Sequence, residues 1–105
     1  MHSSPFSEHH VTAVIAHLLK PGRDADYEAW MHEIIPVAQT FPGYLGVNIL
    51  RPKPGIQAEY IIVLHFDNHE CLQAWLNSPE RQDLIARIQP LIQEREDIQV
   101  LTGLE

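Results

Sequence analysis

One stretch of the chain, EYIIVLHFDN at residues 59–68, is apolar on both faces of the β-strand that it predicts. Successive side chains of a strand point to opposite faces of the sheet, and a strand with one wet face alternates apolar and polar residues. The two sets here are Tyr60, Ile62, Leu64 and Phe66 on one face and Ile61, Val63 and His65 on the other. A sheet built on this strand therefore needs a cover on each side.

The remaining segments predict the order β-α-β-β-α-β. Residues 10–19, 44–51 and 97–102 read as further strands, the first of them rich in β-branched side chains. The first helix has apolar residues at helical spacing, at Tyr27, Trp30, Met31, Ile34, Ala38 and Phe41. A weak internal repeat, strand then histidine then turn then helix ending in Ala-Trp, favours a ferredoxin-like α+β fold. Such a domain has a four-stranded antiparallel sheet with both helices on one face.

Local signals mark where the first half of the chain changes structure. We expect Asp24 to cap the first helix, because a carboxylate can accept a hydrogen bond from a free backbone N–H there. Pro36 lies inside the helical pattern, so a kink or an early end near Ile35 is expected. Gly46 lies inside the second strand and predicts a β-bulge.

The second half of the chain has clearer helix boundaries. Asn68 predicts the N-cap of a helix over about 69–77. Ser78 followed by Pro79 predicts a second helix start, because proline is well suited to the first helical position. Pro90 should end or bend that helix.

The sheet face that the helices leave bare is also apolar. Leaving several such side chains wet would forgo about 1.5 to 3 kcal/mol apiece. The simplest cover is a second copy of the same sheet, packed face to face about a two-fold axis. We therefore predict a homodimer of back-to-back sheets, a dimeric α/β barrel. A tail folded over the sheet is the alternative, but residues 1–9 are few and polar.

Length and composition limit the classes of protein. The 105 residues predict one domain over 10–105, preceded by a loose tail over 1–9. The net charge of −7 argues against nucleic acid as a partner, because phosphate backbones attract basic surfaces. Cys71 is the only cysteine and no secretion signal begins the chain, so we expect a cytoplasmic protein. Association with a membrane is expected only if the chain, which ends at Glu105, is a piece of a longer protein.

Several motifs resemble the antibiotic biosynthesis monooxygenase family. They are KPGRDADYEAW, FPGYLGVNILRP and YIIVLHFDNHECLQAWLNSPER, followed by LTGLE, and together they cover about residues 10–105. The most specific element is W-L-x-S-x-x-R, formed by Trp75, Leu76, Ser78 and Arg81. The resemblance implies a dimeric α/β barrel. It also implies oxidation of polycyclic phenols to quinones by O₂, with no metal or flavin cofactor.

Another branch of this family degrades haem, and the resemblance argues against that activity here. That branch uses an Asn on the first strand, a Trp on the second helix and a later His. The Trp matches Trp75, but Ile15 and Ile85 stand near the other two positions. Haem breakdown is therefore not expected.

An oxygenase without cofactor needs an apolar pocket, a base that makes an electron-rich anion, and donors that hold this anion. His65 and His17 are the candidate bases, because each lies near the end of an apolar strand and imidazole exchanges protons near neutral pH. The alternative for each is a structural histidine with a partner in the core or the dimer interface. Asn48, polar among apolar neighbours, is a candidate for holding a substrate oxygen, or else bonds the backbone near Gly46.

Aromatic and basic residues complete the candidate substrate site. Trp75 and Trp30 can form the walls of a pocket, although both also lie on core-facing helix stripes. Arg51 is a candidate for binding an anionic substrate, with Arg81 as a further one, and surface charges are the alternative for both. Tyr27 and Tyr44 are weaker candidates for the pocket wall.

The seven histidines raise the question of a metal site, which we do not expect. Those at His2, His9 and His10 lie in or beside the tail, and His65 and His69 straddle a strand–helix junction. The sequence therefore predicts a small monooxygenase without metal or other cofactor that acts on an aromatic or quinone-like molecule. The alternative is a non-catalytic module for ligand binding or dimerisation, which can be the soluble part of a larger protein.

Overall fold

A computed structural model of the chain describes residues 10–102, so the predicted tail over 1–9 and the last three residues lie outside the described part. The element order is β1 (Val11–His17), α1 (Asp24–Gln39), β2 (Tyr44–Leu50), β3 (Tyr60–Phe66), α2 (His69–Leu76), α3 (Pro79–Ile88) and β4 (Asp97–Thr102). A short 3₁₀ turn, Gln89–Leu91, follows α3. The predicted β-α-β-β-α-β order is confirmed, with the second helical segment divided into α2 and α3.

The four strands form one antiparallel sheet in the order β2-β3-β1-β4. The two dry strands β1 and β3 occupy the centre, where each has a neighbour on both sides. The register between β2 and β3 shifts between Tyr44 and Gly46, which confirms the predicted bulge. The sheet and helices match the predicted ferredoxin-like α+β fold.

The core lies between the helices and one face of the sheet. This face, called here the helix-side face, carries Val11, Ala13, Ile15 and His17 from β1 and Tyr60, Leu64 and Phe66 from β3, all buried. The helices contribute further buried apolar residues, including Tyr27, Trp30, Leu72, Trp75 and Ile88. The opposite face of the sheet, called here the open face, carries Thr12, Val14 and Ala16 from β1 and Ile61, Val63 and His65 from β3.

The predicted helix starts of the second half are confirmed. The Asn68 side chain accepts a 2.8 Å hydrogen bond from the backbone N–H of Cys71. Ser78 Oγ accepts one of 3.1 Å from the N–H of Arg81, with Pro79 at the first helical position. The α3 helix ends at Ile88, just before the turn that contains Pro90, as predicted.

Two predictions about α1 are wrong. Arg23, not Asp24, holds the N-cap position, and no side chain caps it. Asp24 is instead the first helical residue, where its charge stabilises the positive end of the helix dipole. The helix also continues through Pro36 to Gln39 rather than ending near Ile35. Because Pro36 has no backbone N–H, the carbonyl of His32 loses its usual helical partner. Both residues are exposed, so water can bond that carbonyl.

The turn into β2 requires a glycine at position 43. Gly43 has φ of 84°, and a Cβ built there would lie 2.7 Å from the Cβ and Sγ of Cys71. Its carbonyl accepts a 2.7 Å hydrogen bond from the N–H of Asp67. This close contact joins the start of β2 to the end of β3 and the start of α2, and Cys71 is half-buried against the core.

Candidate functional site

A cleft opens between the helix-side face of the sheet and the helices. It is partly open to solvent, and the free space inside it is about 50 Å³. Its lining is mainly apolar, with strand residues such as Ile15, Val47, Ile62 and Leu64 facing Met31 and Ile34 of α1. An apolar cleft of this kind favours a flat, largely apolar ligand.

Both tryptophans of the chain line this cleft. Trp30 is 6% exposed and donates a 2.7 Å hydrogen bond from Nε1 to the carbonyl of Leu84. Trp75 is 2% exposed and packs edge-on against Phe41, with ring centroids 5.0 Å apart. The two rings therefore belong to the core and also form walls of the cleft.

A buried polar network meets the cleft at His17. Its Nδ1 lies 2.5 Å from the hydroxyl of Tyr27, and its Nε2 lies 2.8 Å from Oε1 of Glu96. The same carboxylate oxygen accepts a 2.8 Å hydrogen bond from Nη2 of Arg81. His17 and Arg81 line the cleft, and Glu96 lies behind them. This set, called here the His17 network, comprises Tyr27, His17, Glu96 and Arg81.

The surroundings of the His17 network determine which of its groups carry protons. Burial opposes ionisation of Glu96, but the hydrogen bond from His17 and the charge of Arg81 outweigh it and lower the pKa of this carboxyl below its ordinary value. Burial, together with the charge of Glu96, raises the pKa of Tyr27, which stays a phenol. Because an ionised Glu96 only accepts, Nε2 of His17 carries the proton, and in the neutral ring Nδ1 accepts from Tyr27.

His65 and Asn48 lie on the open face, on the opposite side of the sheet from the cleft. His65 Nε2 is 3.3 Å from Oδ1 of Asn48, and its Nδ1 is 3.1 Å from the Thr12 hydroxyl. Nε2 of His10 lies 3.3 Å from that Nδ1. Burial, followed by the charge that His10 can carry, lowers the pKa of His65 and favours its neutral form. His65 and Asn48 therefore contact each other, but neither residue lines the cleft.

Arg51 also lies away from the cleft. Its guanidinium makes two hydrogen bonds, of 2.8 and 3.0 Å, to the carboxylate of Glu28. Glu28 also accepts a 2.8 Å hydrogen bond from the hydroxyl of Tyr60. The exposed ion pair joins α1 to the end of β2, and it lowers the pKa of Glu28.

The structure thus brings together His17, Trp30 and Trp75 from the predicted site, with Arg81 and Tyr44 as further lining residues. It separates them from His65, Asn48 and Arg51. Sequence reasoning did not consider Glu96, which lies in the polar segment QERE before β4. Nothing in that run of charges distinguishes Glu96 from Glu94. Only the fold shows that it reaches the buried His17.

Within residues 10–102, no three His, Cys, Asp or Glu side chains converge as metal ligands. None of the helices in this part of the chain is long and apolar enough to cross a membrane.

Comparison with known proteins agrees with the fold and the sequence motifs. The solved structure of SnoaB from Streptomyces nogalater, described as a cofactor-independent oxygenase, superimposes with a TM-score of 0.77. The two share 17% identity, with 91% of this chain and 94% of SnoaB covered. At this identity the likeness establishes the shared ferredoxin-like fold.

The sequence identifies the family. The model of the antibiotic biosynthesis monooxygenase family matches residues 10–87, and the chain belongs to this family. The match includes all of the cleft-lining residues and ends before Glu96.

Two curated relatives match parts of the chain. An uncharacterised protein of Synechococcus elongatus is 37% identical over 79 residues, which are 75% of this chain and 38% of that protein. A mycobilin-producing haem oxygenase of Mycobacterium tuberculosis is 45% identical over 38 residues, 36% of this chain and 35% of that enzyme. The matched part of the chain thus spans little more than a third of the length of these relatives.

Proposed function

We propose that the protein is a monooxygenase that uses O₂ without a cofactor and acts on a flat aromatic or quinone-like molecule bound in the cleft. The observation that carries the proposal is an apolar cleft with two tryptophan walls and one buried histidine at its edge. Membership of the antibiotic biosynthesis monooxygenase family supports it, as does the similar fold of SnoaB.

His17 is the base in this proposal. A substrate hydroxyl would replace the Tyr27 hydroxyl at Nδ1 and transfer its proton to the ring. The carboxylate of Glu96, 2.8 Å from Nε2, would stabilise the imidazolium that forms. The roles of His65 as a base and of Asn48 in holding a substrate oxygen stay predictions. Both residues lie on the open face, which argues for a role outside the cleft.

The reaction balances with the substrate as the only reductant. A phenol and O₂ give a quinone and water: the ring gains one oxygen atom and loses two hydrogen atoms, which leave with the second oxygen atom as water. Removal of the phenolic proton first makes the ring electron-rich enough to pass an electron to O₂. The base, rather than a metal or flavin, would supply the activation.

We further propose that the open face is the interface of a homodimer. Val14, Ala16, Ile61 and Val63 form its apolar centre, while Leu50 and Leu101 towards its edges remain 49% and 51% exposed. A second copy would cover this surface. A cytoplasmic location accords with the single free thiol of Cys71.

A non-catalytic ligand-binding module is the second candidate. It is favoured by one observation: Tyr27 and Glu96 already occupy both nitrogens of His17. In this second candidate His17 builds the wall of a binding cleft and transfers no proton.

Oxygen uptake with a panel of anthrones and hydroquinones separates the two candidates. The monooxygenase should consume O₂, and with an anthrone as substrate ¹⁸O₂ should place one labelled atom in the quinone and the other in water. Binding without uptake on any member of the panel would favour the module. Haem belongs in the same panel because one matched relative is a haem oxygenase. We expect no haem turnover, since Ile15 lines the cleft near the position where the resemblance places an asparagine.

A further inference from the structure

Arg81 is a buried, positively charged residue in the lining of a mainly apolar cleft. The residue is 5% exposed, and it lines the cleft from the first turn of α3. Ser78 Oγ accepts from its backbone N–H at 3.1 Å, which fixes the start of the helix and the position of the side chain. A guanidinium in such surroundings is costly unless it has partners.

Glu96 accepts a hydrogen bond from only one of the N–H donors of the Arg81 guanidinium. An arginine side chain has five N–H donors in a planar fork. Among residues 10–102 its hydrogen bond goes from Nη2 to Oε1 of Glu96, at 2.8 Å. Glu96 shares that oxygen with His17, so it is already committed to two donors. Among residues 10–102 no second acceptor bonds the guanidinium.

We infer that the Arg81 end of the cleft is a subsite for an anionic oxygen, so that the ligand is a flat aromatic molecule bearing a carboxylate or an ionised phenol. The inference rests on the proposed function, since it names the class of substrate that the cleft takes. Arg81 and Glu96 are of opposite charge, which holds the guanidinium in place, and the planar fork can bind a carboxylate or phenolate oxygen on its remaining edge.

A phenol and a carboxylate differ in the net charge that they bring into the cleft. An ionising phenol can give its proton to His17, so that the buried network and its ligand stay neutral together. A carboxylate brings a negative charge of its own and depends more strongly on Arg81. A carboxylate probe is therefore the more sensitive test of the subsite.

The direct experiment uses the unmodified protein and a matched pair of ligands, anthraquinone-2-carboxylate and its methyl ester. The two tryptophans of the chain both line the cleft, so quenching of intrinsic fluorescence reports binding there. The acid should bind about 10-fold more tightly than the ester, or better, because a charge-assisted hydrogen bond is lost in the ester. Equal affinities, or tighter binding of the ester, would overturn the subsite.

A pair of variants assigns the preference to Arg81. The double substitution Arg81→Gln with Glu96→Gln removes both charges and leaves no unpaired ion in the core. It should bring the affinities of acid and ester to within about 2-fold of each other. Arg87→Gln is the control, because Arg87 lies on the same helix in an exposed ion pair with Glu33. A preference that persists in the double variant, folded by circular dichroism, would refute the role of Arg81. Should this variant not fold, the ligand pair on the unmodified protein decides.

Failure of this inference differs from failure of the proposed function. If acid and ester bind equally and oxygen uptake is seen, the anionic subsite is wrong and the monooxygenase stands. If neither ligand binds at millimolar concentration, both the aromatic substrate class and the subsite fail.

Discussion

The two faces of the sheet carry similar residues but hold their histidines in different ways. His17 on the helix-side face is 2% exposed and bonds the ionised carboxylate of Glu96. His65 on the open face is half-buried and bonds the neutral groups of Thr12 and Asn48. The carboxylate of Glu96 holds the proton on Nε2 of His17, whereas burial and the charge that His10 can carry favour the uncharged ring of His65. The first arrangement suits proton transfer, and the second suits an interface.

The sharpest test of this contrast replaces each histidine in turn by glutamine. His17→Gln should lower the rate of oxygen uptake by about 100-fold, the usual contribution of a general base. His65→Gln should change it by less than about 3-fold, because its side chain lies outside the cleft. Uptake is measured with the best substrate of the panel. If both variants lose the same fraction of the oxygen-uptake rate and remain dimers, then proton transfer is not confined to the helix-side face.

The next effect concerns stability on the helix-side face. Glu96→Gln should lower the free energy of unfolding by about 2 kcal/mol, because the buried Arg81 and His17 lose a charged acceptor. Urea unfolding at pH 7 measures this loss. Glu94→Gln is the matched control, since Glu94 is exposed in the same segment. A loss no larger than that of the control would contradict the structural importance of the network.

The same variant has a pH dependence with a definite sign. The folded-state pKa of Glu96 is lowered from 4.5, so its stabilisation is present above about pH 4.5 and is lost as the pH falls through the lowered value. The difference between the wild type and Glu96→Gln should therefore shrink in acid. A difference that stays constant would mean that the carboxylate is not stabilised by folding.

The open face is tested by placing a charge at its centre. Val63→Glu should weaken the dimer at least about 10-fold, because a buried unpaired carboxylate opposes association. Ile56→Glu is the control, because Ile56 is 79% exposed in the loop before β3. Sedimentation over a concentration series measures both. A dimer that is unaffected by Val63→Glu would place the interface elsewhere.

The smallest effect is a pH dependence on the open face. Because the folded-state pKa of His65 is lowered from 6.5, its neutral form stabilises the fold above that value, and this contribution is lost as the pH falls through the lowered pKa. The melting temperature should fall between pH 7.5 and pH 5.5, and His65→Gln should flatten this slope. His69→Gln, at the exposed start of α2, should leave it unchanged. If the melting temperature falls equally with pH in the wild type and both variants, then folding does not lower the pKa of His65.

The sequence predicted most of the fold because its signals are local. Asn68, Ser78 and Gly46 each determine the backbone at their own positions, and runs of apolar and β-branched residues identified the strands. The helix through Pro36 was missed, although the apolar stripe of α1 continues to Phe41 and leaves Pro36 on the exposed side.

The site was predicted only in part. Alternation shows that His17 shares a face with Ile15 and that His65 shares one with Val63. It does not show which face the helices cover, since both are apolar. The partnership of His17 with Glu96 joins residues 79 positions apart, and no local pattern connects them.

The mass of the unmodified protein in solution tests the central claim most directly, which is that helices cover one dry face of the sheet and a second copy covers the other. Sedimentation equilibrium at micromolar concentration should give twice the 12.0 kDa of the chain. A stable monomer at that concentration would leave the open face in water and contradict the division of the sheet into a ligand side and an interface side.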